Sequence, residues 1–185
     1  MFNRENFIGR IISGGGFIFD FARWLVVLMV ILTLLHFFVM TIFIVDGASM
    51  DPTFATGDFG ALDKISYSFS DPQRGDVVVL NYPGDPANKR YVKRVIGLPG
   101  EKVEVENGLV LVNGKKLSEG YLPKGLYTDK NGSWTLTTDE YFTMGDNRPN
   151  SNDSRYFGPV EKRFLVGKVV WILFPSFFSV VTPTY

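Results

Sequence analysis

The sequence predicts a mainly β protein: a single N-terminal apolar helix followed by an antiparallel β domain with a small β insertion. Three observations predict it. Trp24–Val45, "WLVVLMVILTLLHFFVMTIFIV", is a run of 22 residues without a formal charge. Beyond Phe54 the apolar segments become short and rich in Val and Ile, bounded by Gly, Pro, Asn and Asp, which is strand patterning. No amphipathic helical period follows the apolar run. The chain has 185 residues, enough for one anchored domain with an insertion.

In chain order, residues 1–23 mix apolar and charged side chains around Gly14, Gly15 and Gly16. They read as a cytoplasmic or interfacial segment that the glycines break. As a helix, 24–45 would extend roughly 33 Å, against a hydrocarbon core of about 30 Å. A secretory signal would have a shorter apolar core, and a buried soluble helix would show a polar face. The run therefore reads as a transmembrane helix. Arg4, Arg10 and Arg23 precede it, whereas Lys64 is the first base after it. That asymmetry places the N-terminus in the cytoplasm and 46–185 outside the plasma membrane. In the outer part, "GDVVVLNY", "YVKRVIGL", "EKVEVENGLVLVNGKKL" and "RFLVGKVVWILF" read as strands. Asn107-Gly108 and Asn113-Gly114 mark two hairpin turns. Residues 106–140 read as a peripheral β excursion. The aromatic C-terminal stretch Trp171–Val181 is interrupted by Pro175, so it reads as a strand with an edge toward lipid, not a second span.

Composition excludes several chemistries. Lys plus Arg and Asp plus Glu number 19 each, so no net field draws the chain to nucleic acid. There is no cysteine, which removes thiolate chemistry and disulfides. No His, Cys or carboxylate cluster has ligand spacing, so neither metal nor cofactor is expected.

The candidate chemistry begins at "VDGASMDPTF", Val45–Phe54. A serine hydroxyl such as that of Ser49 needs a neighbouring base. The single histidine, His36, lies in the apolar run and is a poor candidate. Lysine can serve if burial pulls its pKa down from about 10.4. Lys93 sits among Val92, Val95 and Ile96, beside Arg94. Strand alternation sends Lys93 and Arg94 to opposite faces, so one can line a dry site while the other is solvated. The polar run "GDNRPNSNDSR", Gly145–Arg155, lies between "YFTM" and "YFGPV", so apolar segments hold it at each end. It can supply hydroxyls and an Asp–Arg pair that fix a lysine.

Together "GASMDPTF", "RGDVVVL", "YVKRVIGLPG" and "GDNRPNSNDSR", in this order behind one apolar run, resemble the bacterial type I signal peptidases, a family of membrane-anchored Ser/Lys proteases. The resemblance implies a serine endopeptidase that removes signal peptides from secretory preproteins at Ala-x-Ala-like sites. It implies Ser49 as nucleophile, with its backbone N–H in the oxyanion hole, and Lys93 as general base. Ser151 would orient Lys93 by a hydrogen bond, and Asp146, Asp153 and Arg155 would form a charge-paired support. Phe43, Val45, Met50, Tyr91 and Val92 would line the substrate groove. The partners implied are signal peptides and membrane lipid, with the translocation machinery a further candidate neighbour. Two positions depart from the family's pattern. Gly47 stands where some members carry a hydroxyl donor to the oxyanion, and Glu101 replaces the usual Asp after Pro99-Gly100. The alternatives are a self-cleaving Ser/Lys protease and an inactive membrane-anchored β binding module.

Overall fold

The computed structural model describes residues 4–34, 39–87, 89–174, 178–180 and 183. The chain divides into two compact units, Met1–Val39 and Met40–Tyr185.

The first unit contains helix α1, Arg4–Leu34. It runs through Gly14–Gly16, where the sequence predicts a break. Glycine costs about 1 kcal/mol per residue relative to alanine in a helix, which weakens but does not forbid it. From Trp24 to Leu34 the large apolar side chains are exposed on every side of the helix. Among the described residues, no helix is long and apolar enough to cross a membrane. The expected helix over 24–45 is corrected at its far end, because Met40–Ile44 forms strand β1. Hydropathy marks a segment as apolar without distinguishing helix from strand, and "MTIFI" is β-branched and aromatic. His36 lies outside the described residues.

The second unit is antiparallel β. Its remaining elements are β2 (Phe59–Asp63), α2 (Ser66–Phe69), β3 (Val77–Asn81), β4 (Arg90–Gly97), β5 (Lys102–Glu106), β6 (Leu109–Val112), β7 (Lys115–Lys116), β8 (Gly132–Thr135), β9 (Glu140–Met144), α3 (Ser154–Phe157), β10 (Val160–Glu161), β11 (Leu165–Phe174) and β12 (Phe178–Ser179). The large sheet has the order β1-β2-β11-β3-β4-β9-β10, with β12 on β11. The small sheet has the order β7-β6-β5-β8. It begins at Lys102, four residues before the excursion read from the sequence. Both Asn-Gly pairs turn as predicted: φ is 51° and 80° at Asn107 and Gly108, and 50° and 75° at Asn113 and Gly114.

Two apolar clusters flank the site. Val45, Met50, Phe54, Leu62, Val77, Val79, Val169 and Ile172 pack under β1 and the turn that follows it. Ile96, Val103, Val105, Phe142 and Met144 join the small sheet to β4 and β9. In β4, five consecutive residues from Lys93 to Gly97 are buried. Register pairs Lys93 with Val78 and Arg94 with Val77 on one side, and Arg94 with Met144 on the other.

Candidate active site

Ser49 lies in the turn between β1 and β2, above a floor formed by Met50 and Phe54, which are 1% and 0% exposed. The turn folds on itself through Asp51 N–H to Ala48 O, 3.2 Å, and Phe54 N–H to Met50 O, 3.0 Å. Strand β4 delivers Lys93 from the opposite wall. Its Nζ is 2.7 Å from Ser49 Oγ and 2.9 Å from the Val92 carbonyl oxygen. The amine also lies 5.1 Å from the centroid of the Tyr91 ring.

Lys93 is only 2% exposed. Burial pushes its amine down to about 8, while the nearby Asp153 and Asp146 carboxylates act in the opposite direction. Desolvation outweighs them because both acids already have guanidinium partners. Asp146 Oδ1 and Oδ2 accept from Arg94 Nε and Nη2 at 2.9 and 2.6 Å, and Oδ2 accepts from Thr53 Oγ1 at 2.5 Å. Asp153 accepts from Arg155 Nε and Nη2, each at 2.8 Å, and from the Gly145 N–H at 2.9 Å. Asp153 thus closes the loop from Gly145 to Arg155 on itself.

The predicted site residues therefore come together, with two corrections. Ser151 is buried at 8% exposure, but among the described residues its Oγ has no hydrogen-bond partner. Besides Ser49 Oγ, Lys93 Nζ donates to the Val92 carbonyl oxygen rather than to Ser151. Arg94 is not solvated: it is as buried as Lys93, at 2%. Alternation sends Lys93 and Arg94 to opposite faces, but β4 is covered on both.

Three features escaped the sequence reading. Asn147 reaches back to the turn that carries Ser49, its Nδ2 donating to Ala48 O at 2.9 Å and its N–H to Ser49 O at 3.1 Å. Arg148, fully buried, pairs with Glu119 and donates to Thr128 Oγ1 at 3.0 Å. Arg155 pairs with Asp129, whose other oxygen accepts from Tyr156 Oη at 3.0 Å. Between β7 and β8, Glu119 and Asp129 thus tie the chain to the loop behind Lys93. Glu101, the departure after Pro99-Gly100, accepts from Leu98 N–H at 2.7 Å and Arg74 Nη2 at 2.6 Å, which closes a turn away from the serine.

Ser49 and Lys93 open onto a groove of about 770 Å³. Phe43, Val45, Met50, Tyr91 and Val92 line it, together with Lys89, Arg90, Asn150 and Asn152. Gly60 leaves room for one wall, since a Cβ there would meet the Phe43 ring. Among the described residues, no group of His, Cys, Asp or Glu could hold a metal.

A serine hydroxyl held on a buried amine, facing an open groove, is the arrangement of a serine hydrolase that uses lysine in place of histidine. The model of the family described as "Signal peptidase, peptidase S26" matches residues 18–174. The chain belongs to that family and is a serine endopeptidase of the signal peptidase I type. Over 168 residues it is 38% identical to a signal peptidase I from Bacillus amyloliquefaciens, covering 85% of this chain and 89% of that one. A signal peptidase I P from Bacillus subtilis subsp. natto is 36% identical over 85% of this chain and 90% of its own. A probable signal peptidase I-2 from Synechocystis is 41% identical over 67% of this chain and 58% of its own.

Proposed function

We propose that Ser49 and Lys93 are the dyad with which this enzyme removes N-terminal signal peptides from secretory preproteins. The observation that carries the reading is the 2.7 Å contact between Ser49 Oγ and a buried Lys93 amine held down to about 8. Neutral Lys93 accepts the Ser49 proton as Oγ attacks the scissile carbonyl. The tetrahedral intermediate collapses when Lys93 returns that proton to the leaving amine, which releases the mature chain. Water then attacks the Ser49 ester, giving its proton to Lys93, and the signal peptide leaves with a new carboxylate while Ser49 is restored.

An extended substrate fits between β1 and the part of β4 that carries Tyr91 and Val92. Main-chain pairing supplies affinity and alternating pockets supply selection. Phe43, Val45, Met50 and Tyr91 crowd those pockets, which favours small residues at the first and third positions before the cut, as in Ala-x-Ala.

The enzyme works at the plasma membrane, anchored through the apolar run that begins at Trp24, with its N-terminus cytoplasmic and the β unit outside. The exposed apolar residues from Trp24 to Leu34 support this reading, as do Arg4, Arg10 and Arg23 on one side. On the β unit, Ile42 and Ile44 of β1, Phe59 of β2 and Trp171 of β11 are also exposed. Register places Ile44 opposite Phe59, and sets both Ile42 and Trp171 opposite Ala61, which is an apolar face suited to lipid. That face offers proximity to a substrate emerging from the translocation machinery.

The test uses the full chain in detergent with a preprotein, and the new N-terminus is sequenced. Cleavage after a small residue is expected from the wild type and from neither Ser49→Ala nor Lys93→Ala. Cleavage by Ser49→Ala at the same bond would remove Ser49 from the reaction.

A further inference from the structure

Gly47 cannot supply a side-chain donor to the oxyanion, and its φ of +108° is a conformation that L side chains rarely adopt. The remaining donor is the N–H of Ser49, so what aims that N–H matters more here. Among the described residues it donates to no protein acceptor. It belongs to the Ala48–Ser49 peptide, and in a planar trans peptide the C=O and N–H point in opposite directions. Whatever pins Ala48 O therefore aims Ser49 N–H.

Ala48 O accepts two bonds: one from Asp51 N–H at 3.2 Å within the turn, and a shorter one from Asn147 Nδ2 at 2.9 Å. The neighbouring Ser49 O accepts from Asn147 N–H at 3.1 Å. One residue thus grips both carbonyls that flank the nucleophile. Its own position is fixed by the buried Asp146–Arg94 pair on one side and by buried Arg148 on the other. Donation to Ala48 O also polarises the peptide, which makes Ser49 N–H a stronger donor.

We infer that the Asn147 side-chain amide is a positioning residue for the oxyanion hole, acting through the Ala48–Ser49 peptide. This rests on the reading of Ser49 as nucleophile. Removing an oxyanion donor outright costs about 10²–10³ in kcat, and a misaimed donor should cost on the order of tenfold.

The test compares wild type, Asn147→Ala and the near-isosteric, uncharged Asn147→Leu, which lacks the donor. Each is assayed on a signal-peptide substrate and titrated with two ligands of the same Ala-x-Ala sequence. One is a peptide aldehyde, whose adduct with Ser49 carries the tetrahedral oxygen. The other is the matching peptide alcohol, which forms no adduct. The inference expects kcat and aldehyde affinity to fall by the same factor, while KM, alcohol affinity and the midpoint of the acid limb stay unchanged. Unchanged kcat, equal weakening of both ligands, or a shifted midpoint would overturn it. So would failure of both variants to fold, which would give Asn147 a role in the fold alone. Ser49→Ala should reduce aldehyde affinity to that of the alcohol. If it does not, the assignment of the nucleophile fails whatever Asn147 does.

Discussion

At the scale of single residues, the site depends on an amine kept against its hydration. Lys93 has a folded value of about 8 against an ordinary 10.5. Between these values the folded chain binds fewer protons than the unfolded one, so the Lys93 contribution to stability rises with pH across that window. Below it the burial penalty is complete, on the order of 3 kcal/mol at about 1.4 kcal/mol per pH unit. Lys93→Met should therefore be inactive yet more stable than wild type, with the largest gain at about pH 6 and little above about pH 10.5. Urea midpoints at the two pH values check this, and a pH-independent loss of stability would contradict it. Gly145 is the second sensitive point. A Cβ on it would overlap Ser151 Oγ and the Ser49 carbonyl oxygen, so Gly145→Ala should displace the nucleophile turn. A loss on the order of 10²-fold in kcat/KM is expected from a shift of about 1 Å, with the unfolding transition retained. Ser49 and Lys93 were singled out through the resemblance of their blocks, because a lysine in a Val-rich strand carries no catalytic signal of its own; the fold brings the two side chains within 2.7 Å. Asn147 was not singled out, because its partners are about a hundred residues away in the chain, and one amide in a polar loop carries no pattern.

At the scale of elements, the loop from Gly145 to Arg155 is held by guanidinium–carboxylate pairs, of which Arg94–Asp146 and Arg155–Asp153 are buried on both sides. Arg94 and Asp146 are 2% and 0% exposed. Breaking such a pair from one side leaves a buried charge and costs about 3–5 kcal/mol. Asp146→Leu should show a loss of that size in chemical denaturation, and the double variant Arg94→Met/Asp146→Leu should recover much of it. Equal losses in both would mean that the pair contributes more than its burial costs. The strands carrying these residues were legible from their Val-rich alternation and from the Asn-Gly turns. The burial of Arg94 was not, because period-2 reasoning places successive residues on opposite faces without saying that both faces are covered. The ties to this loop were hidden for a related reason. Glu119 and Asp129 lie in a segment without periodicity, and only folding brings them to Arg148 and Arg155. The far end of the apolar run was misread because "MTIFI" is equally apolar as helix or strand.

At the scale of the whole molecule, the β unit carries both the groove and an apolar face built from β1, β2 and β11. Residues 40–185 form a compact unit of their own. That piece should fold and sediment with lipid vesicles, and Ile42→Ser with Trp171→Gln should weaken the association while leaving cleavage of a short soluble peptide intact. Undiminished vesicle binding would remove this face from contact with lipid. Groove selectivity is open to a separate test, because Gly60→Ala would press on the Phe43 ring. The variant should discriminate more sharply against residues larger than Ala near the cut, read as kcat/KM ratios in a peptide series. The central claim is that a buried lysine, not a carboxylate or histidine, takes the proton from Ser49. The pH dependence of kcat/KM for preprotein cleavage tests it most directly. A single acid limb is expected with a midpoint at about 8, where Lys93 loses its proton in the free enzyme. A limb near pH 4, or measurable turnover by Lys93→Arg across the same range, would contradict it.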